Sequence, residues 1–146
     1  MSKVEVKPET YSYVFNPYRM PVARVKPGDK VILYTNDAFE GRIKTEADLP
    51  SRALADAKFL NPQTGPIYIE GAESGDTLSV LIEGIEPTRD FAVSCFIPFF
   101  GGLTSTPLTP SLQDPIPERT WIWKLIDGPE GRYFINDQIR VRVPWG

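Results

Sequence analysis

A short acidic bend raises the first question about chemistry. The stretch "NPQTGPIYIEGAESGDTLSV" at residues 61–80 contains the segment "EGAESGD", in which Glu70, Glu73 and Asp76 supply three carboxylates. Carboxylates act as general acids or bases, and they also bind cations. The glycines of the segment equally favour an ordinary turn between two strands, because glycine adopts positive φ without steric cost. The bend alone does not decide between a turn and part of a site.

The sequence contains no histidine, and this absence excludes whole classes of catalytic site. Ser-His-Asp and Cys-His nucleophile systems cannot be built from these residues alone. The commonest zinc ligand is also missing, so a metal site within this chain would consist of carboxylates, carbonyls and water. The lone Cys95 lies on the more apolar face of "FAVSCFIPF" without a histidine to activate it, so we interpret it as a buried free thiol.

Length and composition predict a soluble globular protein. The chain has 146 residues, of which 41% are hydrophobic and 24% charged, and this size fits a single β domain over 1–146. The net charge of -3 argues against nucleic acid as a partner, because phosphate binding requires a basic face. The start "MSKVEVKPET" lacks an apolar signal region, and no apolar run reaches the length of a membrane helix. We therefore expect a cytoplasmic protein with no membrane partner.

Prolines and glycines recur every few residues and separate short alternating stretches rich in Val, Ile, Tyr and Phe. Short alternating stretches separated by turn residues predict an all-β, sandwich or barrel-like fold. The predicted strands cover 11–15, 22–25, 30–36, 66–71, 77–85, 91–99, 119–126, 132–135 and 138–144. One short helix is predicted around residues 51–59, limited by Pro50. The segments "VKPGDKVILYT" and "AESGDTLSVLI" share a Gly-Asp turn before a strand, which indicates two units of related build.

Two blocks of the sequence resemble the acetamidase/formamidase family. In "ARVKPGDKVILYTNDAFEGRI" the matching positions after the turn are Asp37, Ala38, Gly41 and Ile43. The second block, "NPQTGPIYIEGAESGDTLSVLIEGI", follows the family's more specific signature over residues 61–76. The tail "YFINDQIRVRVPWG" is also similar. The resemblance covers most of the chain from about residue 22 onward, and it corresponds to the amino-terminal half of a typical family member.

The sequence departs from the family at two positions and in extent. Arg42 stands where the family usually has Gln, and Ser74 where it has Pro. The family's second half carries a "GGNMD"-like and a "GD-x-HA-x-QGDGE"-like segment, and neither occurs in this sequence. The histidine and acidic residues of that half are the better candidates for metal binding and catalysis. The resemblance therefore implies that a divalent metal, zinc or calcium, would belong to a fuller assembly.

The resemblance implies hydrolysis of a short linear amide, such as acetamide or formamide, to a carboxylate and ammonia. The reaction needs a nucleophilic water, a donor to the oxyanion and a proton for the departing amine. Glu70 and Asp37 are the catalytic candidates, and Asp37 is also the candidate metal ligand. Asn61 and Glu40 are the candidates for binding the substrate. Each also has a structural interpretation, as a turn or capping residue or as a solvated carboxylate.

The leading hypothesis is one subunit of a split amidase, whose site is completed by a second chain equivalent to the family's carboxy-terminal half. Such a subunit should expose apolar surface for its partner in an oligomer. The predicted interface residues are Trp121, Trp123, Phe99, Phe100 and Trp145. The alternative is a non-catalytic β-sandwich that serves as a binding or structural module and forms a homo-oligomer. A complete small hydrolase that uses carboxylates alone is the third hypothesis.

Overall fold

The computed structural model describes residues 2–101 and 116–143, which contain eight strands and one short helix. The elements are β1 (Lys3–Val6), β2 (Ala23–Val25), β3 (Lys30–Leu33), α1 (Pro50–Ala53), β4 (Ile67–Ile69), β5 (Phe91–Phe96), β6 (Arg119–Gly128), β7 (Gly131–Ile135) and β8 (Arg140–Arg142). The predicted all-β, sandwich-like class with one short helix is confirmed, and the described sheets do not close into a barrel. Within these ranges no helix has the length and apolar character needed to cross a membrane.

Most of the predicted strands form, but two do not. The stretch over 11–15 makes only an isolated bridge, between Ser12 and Gln63. The stretch over 77–85 belongs to no strand, although its alternating composition favours one. A strand exists only where a neighbour satisfies its backbone N–H and C=O groups, and local composition does not supply that neighbour. The opposite case is β1, which lies outside the predicted strands and pairs with β3.

Helix α1 lies in the predicted place but ends well before residue 59. Pro50 is in its first turn, where a missing N–H breaks no helical hydrogen bond. The carboxylate of Glu118 accepts hydrogen bonds from the Ser51 hydroxyl at 2.7 Å and from the Ser51 N–H at 2.9 Å. These two bonds satisfy the start of the helix and hold the pKa of Glu118 below its usual value. The chain leaves helical geometry at Leu54, where φ is -112°.

Contacts between Cα atoms divide the chain into two compact units, Met1–Gly41 with Ala57–Val80 and Arg42–Asp56 with Leu81–Gly146. The first unit contains two pairs of parallel strands, β1 with β3 and β2 with β4. Val6 and Val25, at the ends of β1 and β2, are its buried hydrophobic side chains among the described residues. The expectation of a single domain over 1–146 stays a prediction.

The two Gly-Asp turns of the first unit are closed by the same pair of hydrogen bonds. In the first turn the Asp29 N–H donates to the Lys26 carbonyl at 3.0 Å, and the Lys26 N–H donates to Asp29 Oδ2 at 3.0 Å. In the second turn the Asp76 N–H donates to the Glu73 carbonyl at 3.1 Å, and the Glu73 N–H donates to Asp76 Oδ2 at 2.8 Å. The glycines before these aspartates have φ of 87° and 100°. The related build indicated by the two segments is therefore present at the turns.

The second unit is built on an antiparallel sheet with the strand order β5-β6-β7-β8. Thr120 of β6 is only 2% exposed, and its hydroxyl donates to the carbonyl of Asp48 at 2.8 Å. This bond ties the loop before α1 to the sheet, and Ile43 of the same loop is 1% exposed. On β7 the buried Tyr133 ring lies 3.8 Å from the guanidinium of Arg140 on β8.

The first prediction concerns the carboxylate of Asp29. The backbone N–H groups of Ser2 and Lys26 lower its pKa from 3.8 to about 2, because they stabilise the charged form. A pKa that is lower in the folded chain stabilises the fold above the unfolded value, and this stabilisation is lost as the pH falls from about 3.8 towards about 2. Asp29→Ala should therefore lower Tm at neutral pH, and the difference from wild type should shrink across that window.

Thermal unfolding followed by circular dichroism at a series of pH values measures this effect. Asp76→Ala is the matched control, because Asp76 closes the same kind of turn while no described residue of another strand donates to it. The control should lower Tm by less. Equal losses for the two variants, or a difference for Asp29→Ala that does not change with pH, would contradict the prediction.

Candidate functional site

Asp37 organises the turn that follows β3. Its Oδ1 accepts a hydrogen bond from the Phe39 N–H at 2.7 Å, and its Oδ2 accepts one from the Gly41 N–H at 3.0 Å. The Asp37 carbonyl accepts the Glu40 N–H at 3.1 Å. The side chain thus anchors residues 37–41 in the manner of an Asx turn, as the structural interpretation expects. The catalytic and metal-binding roles of Asp37 stay predictions.

Glu40 and Asn61 both have a left-handed backbone, with φ of 56° and 62°. Few residues other than glycine adopt this conformation, and such residues persist where the surrounding structure holds them. The Asn61 N–H donates to the Ala38 carbonyl at 3.0 Å, and the Thr64 hydroxyl donates to the Tyr34 carbonyl at 2.7 Å. These bonds hold residues 61–64 beside the turn. Three of the four predicted site residues therefore form one group, which we call the turn cluster: Asp37, Glu40 and Asn61.

Glu70 belongs to a second group, on the more exposed face of the β2–β4 pair. Arg24 and Tyr68 are register partners across these strands, and the Arg24 guanidinium lies 4.0 Å from the centre of the Tyr68 ring. Glu70 is the first residue after β4, and strand alternation places it on the face of Tyr68, two residues before it; its N–H donates to the Val25 carbonyl at 2.8 Å. All three side chains are exposed. We call them the face cluster: Arg24, Tyr68 and Glu70.

Arg24 is the candidate that sequence reasoning missed. A guanidinium group presents several N–H donors in a planar fork, which suits an amide carbonyl or a carboxylate. The available signal is its place between Ala23 and Val25, where it alternates with less exposed residues of the strand. That alternation does not reveal which aromatic ring lies beneath the guanidinium, because the pairing of β2 with β4 is a long-range contact.

Glu70 makes no direct bond to the turn cluster. Among the described residues, no hydrogen bond or ion pair joins Glu70 to Asp37, Glu40 or Asn61. The other two carboxylates of the bend belong to neither cluster: Asp76 closes the turn, and the Glu73 side chain is exposed. The bend "EGAESGD" is therefore a turn by its geometry, and Glu70 stands at the end of the strand that enters it.

The described residues do not fit a metal ion by themselves. Across 2–101 and 116–143, no three side chains of Cys, Asp or Glu come close enough together to hold one. Both oxygens of Asp37 already accept backbone N–H groups. Zinc usually takes three or four protein ligands, and calcium takes six to eight oxygens. We therefore assign no reaction step to a metal in this chain.

Cys95 of β5 is a free thiol that is half-buried and not fully buried as predicted, because only one face of the β5–β6 pair covers it. Its Sγ is 3.6 Å from the Thr120 hydroxyl, and burial raises the pKa of the thiol. Because the thiolate is the nucleophilic form, a raised pKa lowers the reactivity of the residue at neutral pH. The raised pKa thus fits the interpretation of Cys95 as a thiol that is not activated, although its burial is only partial.

The predicted interface residues differ in their exposure. Phe99 and Phe100, after β5, are 49% and 71% exposed. Trp121 and Trp123 are half-buried, and they project from the same face of β6 because they are two residues apart. The indole N–H of Trp123 donates to the Ser94 hydroxyl of β5 at 2.9 Å. Trp145 lies outside the described residues, and the interface itself stays a prediction.

Comparison with known proteins identifies relatives of this chain. An acetamidase from Yersinia enterocolitica matches it with a TM-score of 0.77 and 41% sequence identity, over 92% of this chain and 40% of the acetamidase. An acetamidase from Bacillus halodurans matches in fold, with a TM-score of 0.63 and 24% identity, over 94% of this chain and 42% of that one. The chain therefore spans about two fifths of the length of each. No curated protein sequence matches it.

The family assignment rests on the sequence as well as on the fold. The profile of the Acetamidase/Formamidase family matches residues 4–137, which includes both the turn cluster and the face cluster. The matched range also contains the two blocks that resemble the family in sequence. The chain belongs to the acetamidase/formamidase family.

Proposed function

We propose that this chain is one subunit of a split amidase, which hydrolyses a short linear amide of the acetamide or formamide kind to a carboxylate and ammonia. A second chain, equivalent to the part of the acetamidases that the match leaves uncovered, completes the active site. The observation that carries the proposal is the 41% identity to an acetamidase over 92% of this chain, combined with coverage of only 40% of that acetamidase.

The exposed surface supports the need for a partner. Within the described ranges, several large hydrophobic side chains are almost fully exposed, among them Phe15 at 95%, Tyr18 at 91% and Leu81 at 84%. Only five hydrophobic side chains are buried within the described ranges. They are Val6, Val25, Ile43, Tyr133 and Val143. Obligate interfaces are rich in apolar side chains of this kind, so a second chain that covers the exposed Phe99 and Phe100 would bury surface that the described residues leave in solvent.

The face cluster supplies the chemical groups for the proposed reaction. Water adds to the amide carbon, negative charge develops on the carbonyl oxygen, and the amine leaves as ammonia after it gains a proton. Glu70 takes a proton from the attacking water and returns it to the leaving nitrogen. Arg24 donates hydrogen bonds to the developing oxyanion, and the cation–π contact with Tyr68 holds its guanidinium in place.

The turn cluster positions and binds the substrate in this proposal. The side-chain amide of Asn61 has both a donor and an acceptor, which complement the two ends of a primary amide group. Glu40 accepts a hydrogen bond from the substrate nitrogen. Asp37 is proposed as the residue that keeps the turn in shape for both. A divalent metal, zinc or calcium, is proposed only for the assembly, with the partner chain supplying most of the ligands.

Native mass spectrometry of the tagged chain purified from its own source cells tests the assembly. We expect a stoichiometric second chain that carries "GGNMD"-like and "HA-x-QGDGE"-like segments. The isolated pair should release ammonia from acetamide or formamide, and this chain alone should not, because half of the pocket wall is missing. A lone chain, or a homo-oligomer without amidase activity, would contradict the split amidase and would favour a non-catalytic module.

Replacement of Glu70 tests the assigned base. Glu70→Gln in the assembled pair should lower kcat by about a hundredfold or more, which is the usual loss when general acid–base catalysis is removed. Ammonia release measured at saturating amide reports this change. Glu73→Gln is the matched control, since Glu73 is an exposed carboxylate three residues further along the same bend. Similar rates for the two variants would contradict the role of Glu70.

Replacement of Asn61 separates its backbone strain from its side chain. Asn61→Gly keeps the positive φ without steric cost, so Tm should be unchanged while KM for the amide rises about tenfold through loss of the side-chain amide. Asn61→Ala should in addition destabilise the chain by about 1 to 2 kcal/mol, because alanine disfavours this conformation. Thermal unfolding and steady-state kinetics report the two effects. An unchanged KM for Asn61→Gly would rule out substrate binding by Asn61.

A further inference from the structure

The first Gly-Asp turn receives a strand from elsewhere in the chain. Asp29 Oδ1 accepts the N–H of Ser2, the residue before β1, at 2.8 Å. The Lys30 N–H then donates to the Ser2 carbonyl at 3.0 Å, and the Tyr34 N–H donates to the Val6 carbonyl at 3.0 Å. The Asp29 carboxylate thus has two functions, because one oxygen closes the turn and the other receives the start of a parallel strand.

In the second Gly-Asp turn the aspartate also closes the turn, but it receives no described strand. Asp76 Oδ2 closes the turn through the Glu73 N–H, while no described residue donates to Asp76 Oδ1. Residues 77–80 correspond to β3 in their distance from the aspartate, yet they belong to no strand. Leu78 is 61% exposed and Val80 is 73% exposed. These two side chains occupy the places that Val31 and Leu33 have in β3.

We propose that residues 77–80 are a docking edge for a parallel strand of the partner chain, whose first N–H binds Asp76 Oδ1. This inference rests on the proposed split amidase, because the strand comes from the polypeptide equivalent to the uncovered part of the acetamidases. The family match leaves about three fifths of the Yersinia acetamidase unaccounted for, and the apolar side chains of the edge, Leu78 and Val80, are open to solvent. Strand addition to an unpaired edge is a common way to satisfy such backbone groups.

The equivalence with β3 predicts which groups of the edge meet the incoming strand. The N–H groups of Lys30 and Tyr34 face β1, so by the two-residue period the N–H groups of Thr77 and Ser79 face the partner strand. The incoming strand resembles β1, "KVEV", in alternating polar and apolar side chains. Its apolar residues pair with Leu78 and Val80, and its carbonyls accept the N–H groups of Thr77 and Ser79.

A binding experiment with a defined probe tests the edge. The probe is the part of the Yersinia enterocolitica acetamidase that the match leaves uncovered, expressed as a separate chain and mixed with this full 146-residue chain. Ser79→Pro removes the N–H that faces the incoming strand, and Ser79→Ala keeps it. Titration calorimetry should give a Kd for Ser79→Pro at least tenfold weaker than wild type, and a Kd for Ser79→Ala within about twofold of wild type. Equal affinities for the two variants would overturn the proposal.

Amide hydrogen exchange provides a second readout that does not depend on a variant's folding. In the wild-type chain, the probe should slow exchange at Thr77 and Ser79 more than at Leu78 and Val80. Protection at Thr77 and Ser79 in the absence of the probe, in step with self-association, would show that a second copy occupies the edge and would overturn the proposed occupant.

The outcomes also separate this inference from the proposed function. A wild-type pair that assembles and releases ammonia, but leaves Thr77 and Ser79 unprotected, overturns the docking edge and leaves the split amidase standing. Failure of the wild-type chain to bind the probe, with no ammonia release from the mixture, overturns both.

Discussion

The carboxylate of Asp29 is the contact on which the first unit depends. It closes the turn at Lys26 and receives the N–H of Ser2, so β1 enters the structure in register with β3. Hydrogen bonds from backbone N–H groups to a carboxylate stabilise its charged form, which is why the pKa of Asp29 is about 2. A single side chain thereby fixes both the turn at residues 26–29 and the start of β1, which lies more than twenty residues earlier in the chain.

Backbone constraints of the same kind build the candidate site. Both carboxylate oxygens of Asp37 accept backbone N–H groups of the turn after β3. Asn61, which has a positive φ, donates its N–H to the Ala38 carbonyl of that turn. The β2–β4 register places the Arg24 guanidinium over the Tyr68 ring, close along the strand to Glu70. The site is therefore assembled by main-chain hydrogen bonds on one unit, with Asp37 and Glu40 half-buried and the side chains of Asn61 and the face cluster exposed. In the proposed assembly, the second chain would supply the walls that exclude water from the exposed candidate groups.

The exposed apolar side chains and residues 77–80, which pair with no described strand, have a common physical cause. A chain of this length buries enough apolar surface to fold only if its strands find partners and its faces are covered. Within the described residues, β3 has a partner strand in β1, whereas the equivalent residues after Asp76 have none. Leu78 and Val80 are therefore open to solvent. The family relatives are more than twice as long as this chain, so their additional polypeptide has the length to provide the missing strands.

The sequence by itself determined the fold class, the turns and the family. Glycine before aspartate predicts the two turns because few other residues tolerate positive φ, and the alternation of apolar residues predicts most of the strands. Sequence also singled out Asp37 and Asn61, whose local backbone roles follow from short side chains that bond to nearby N–H and C=O groups. Composition predicted a strand over 77–85 as well, and there it was wrong, since alternation reports the suitability of a segment and not the presence of a neighbour.

Only the tertiary structure decided which distant segments meet. The pairing of β1 with β3, the position of Arg24 over Tyr68 and the bond between the Asn61 N–H and the Ala38 carbonyl all depend on contacts between residues far apart in sequence. Such contacts are set by loop closure and by register, and local residue types do not encode either. For the same reason, the sequence identified the second Gly-Asp turn as a twin of the first, but the structure alone revealed that, among the described residues, a strand starts at the first turn and none at the second.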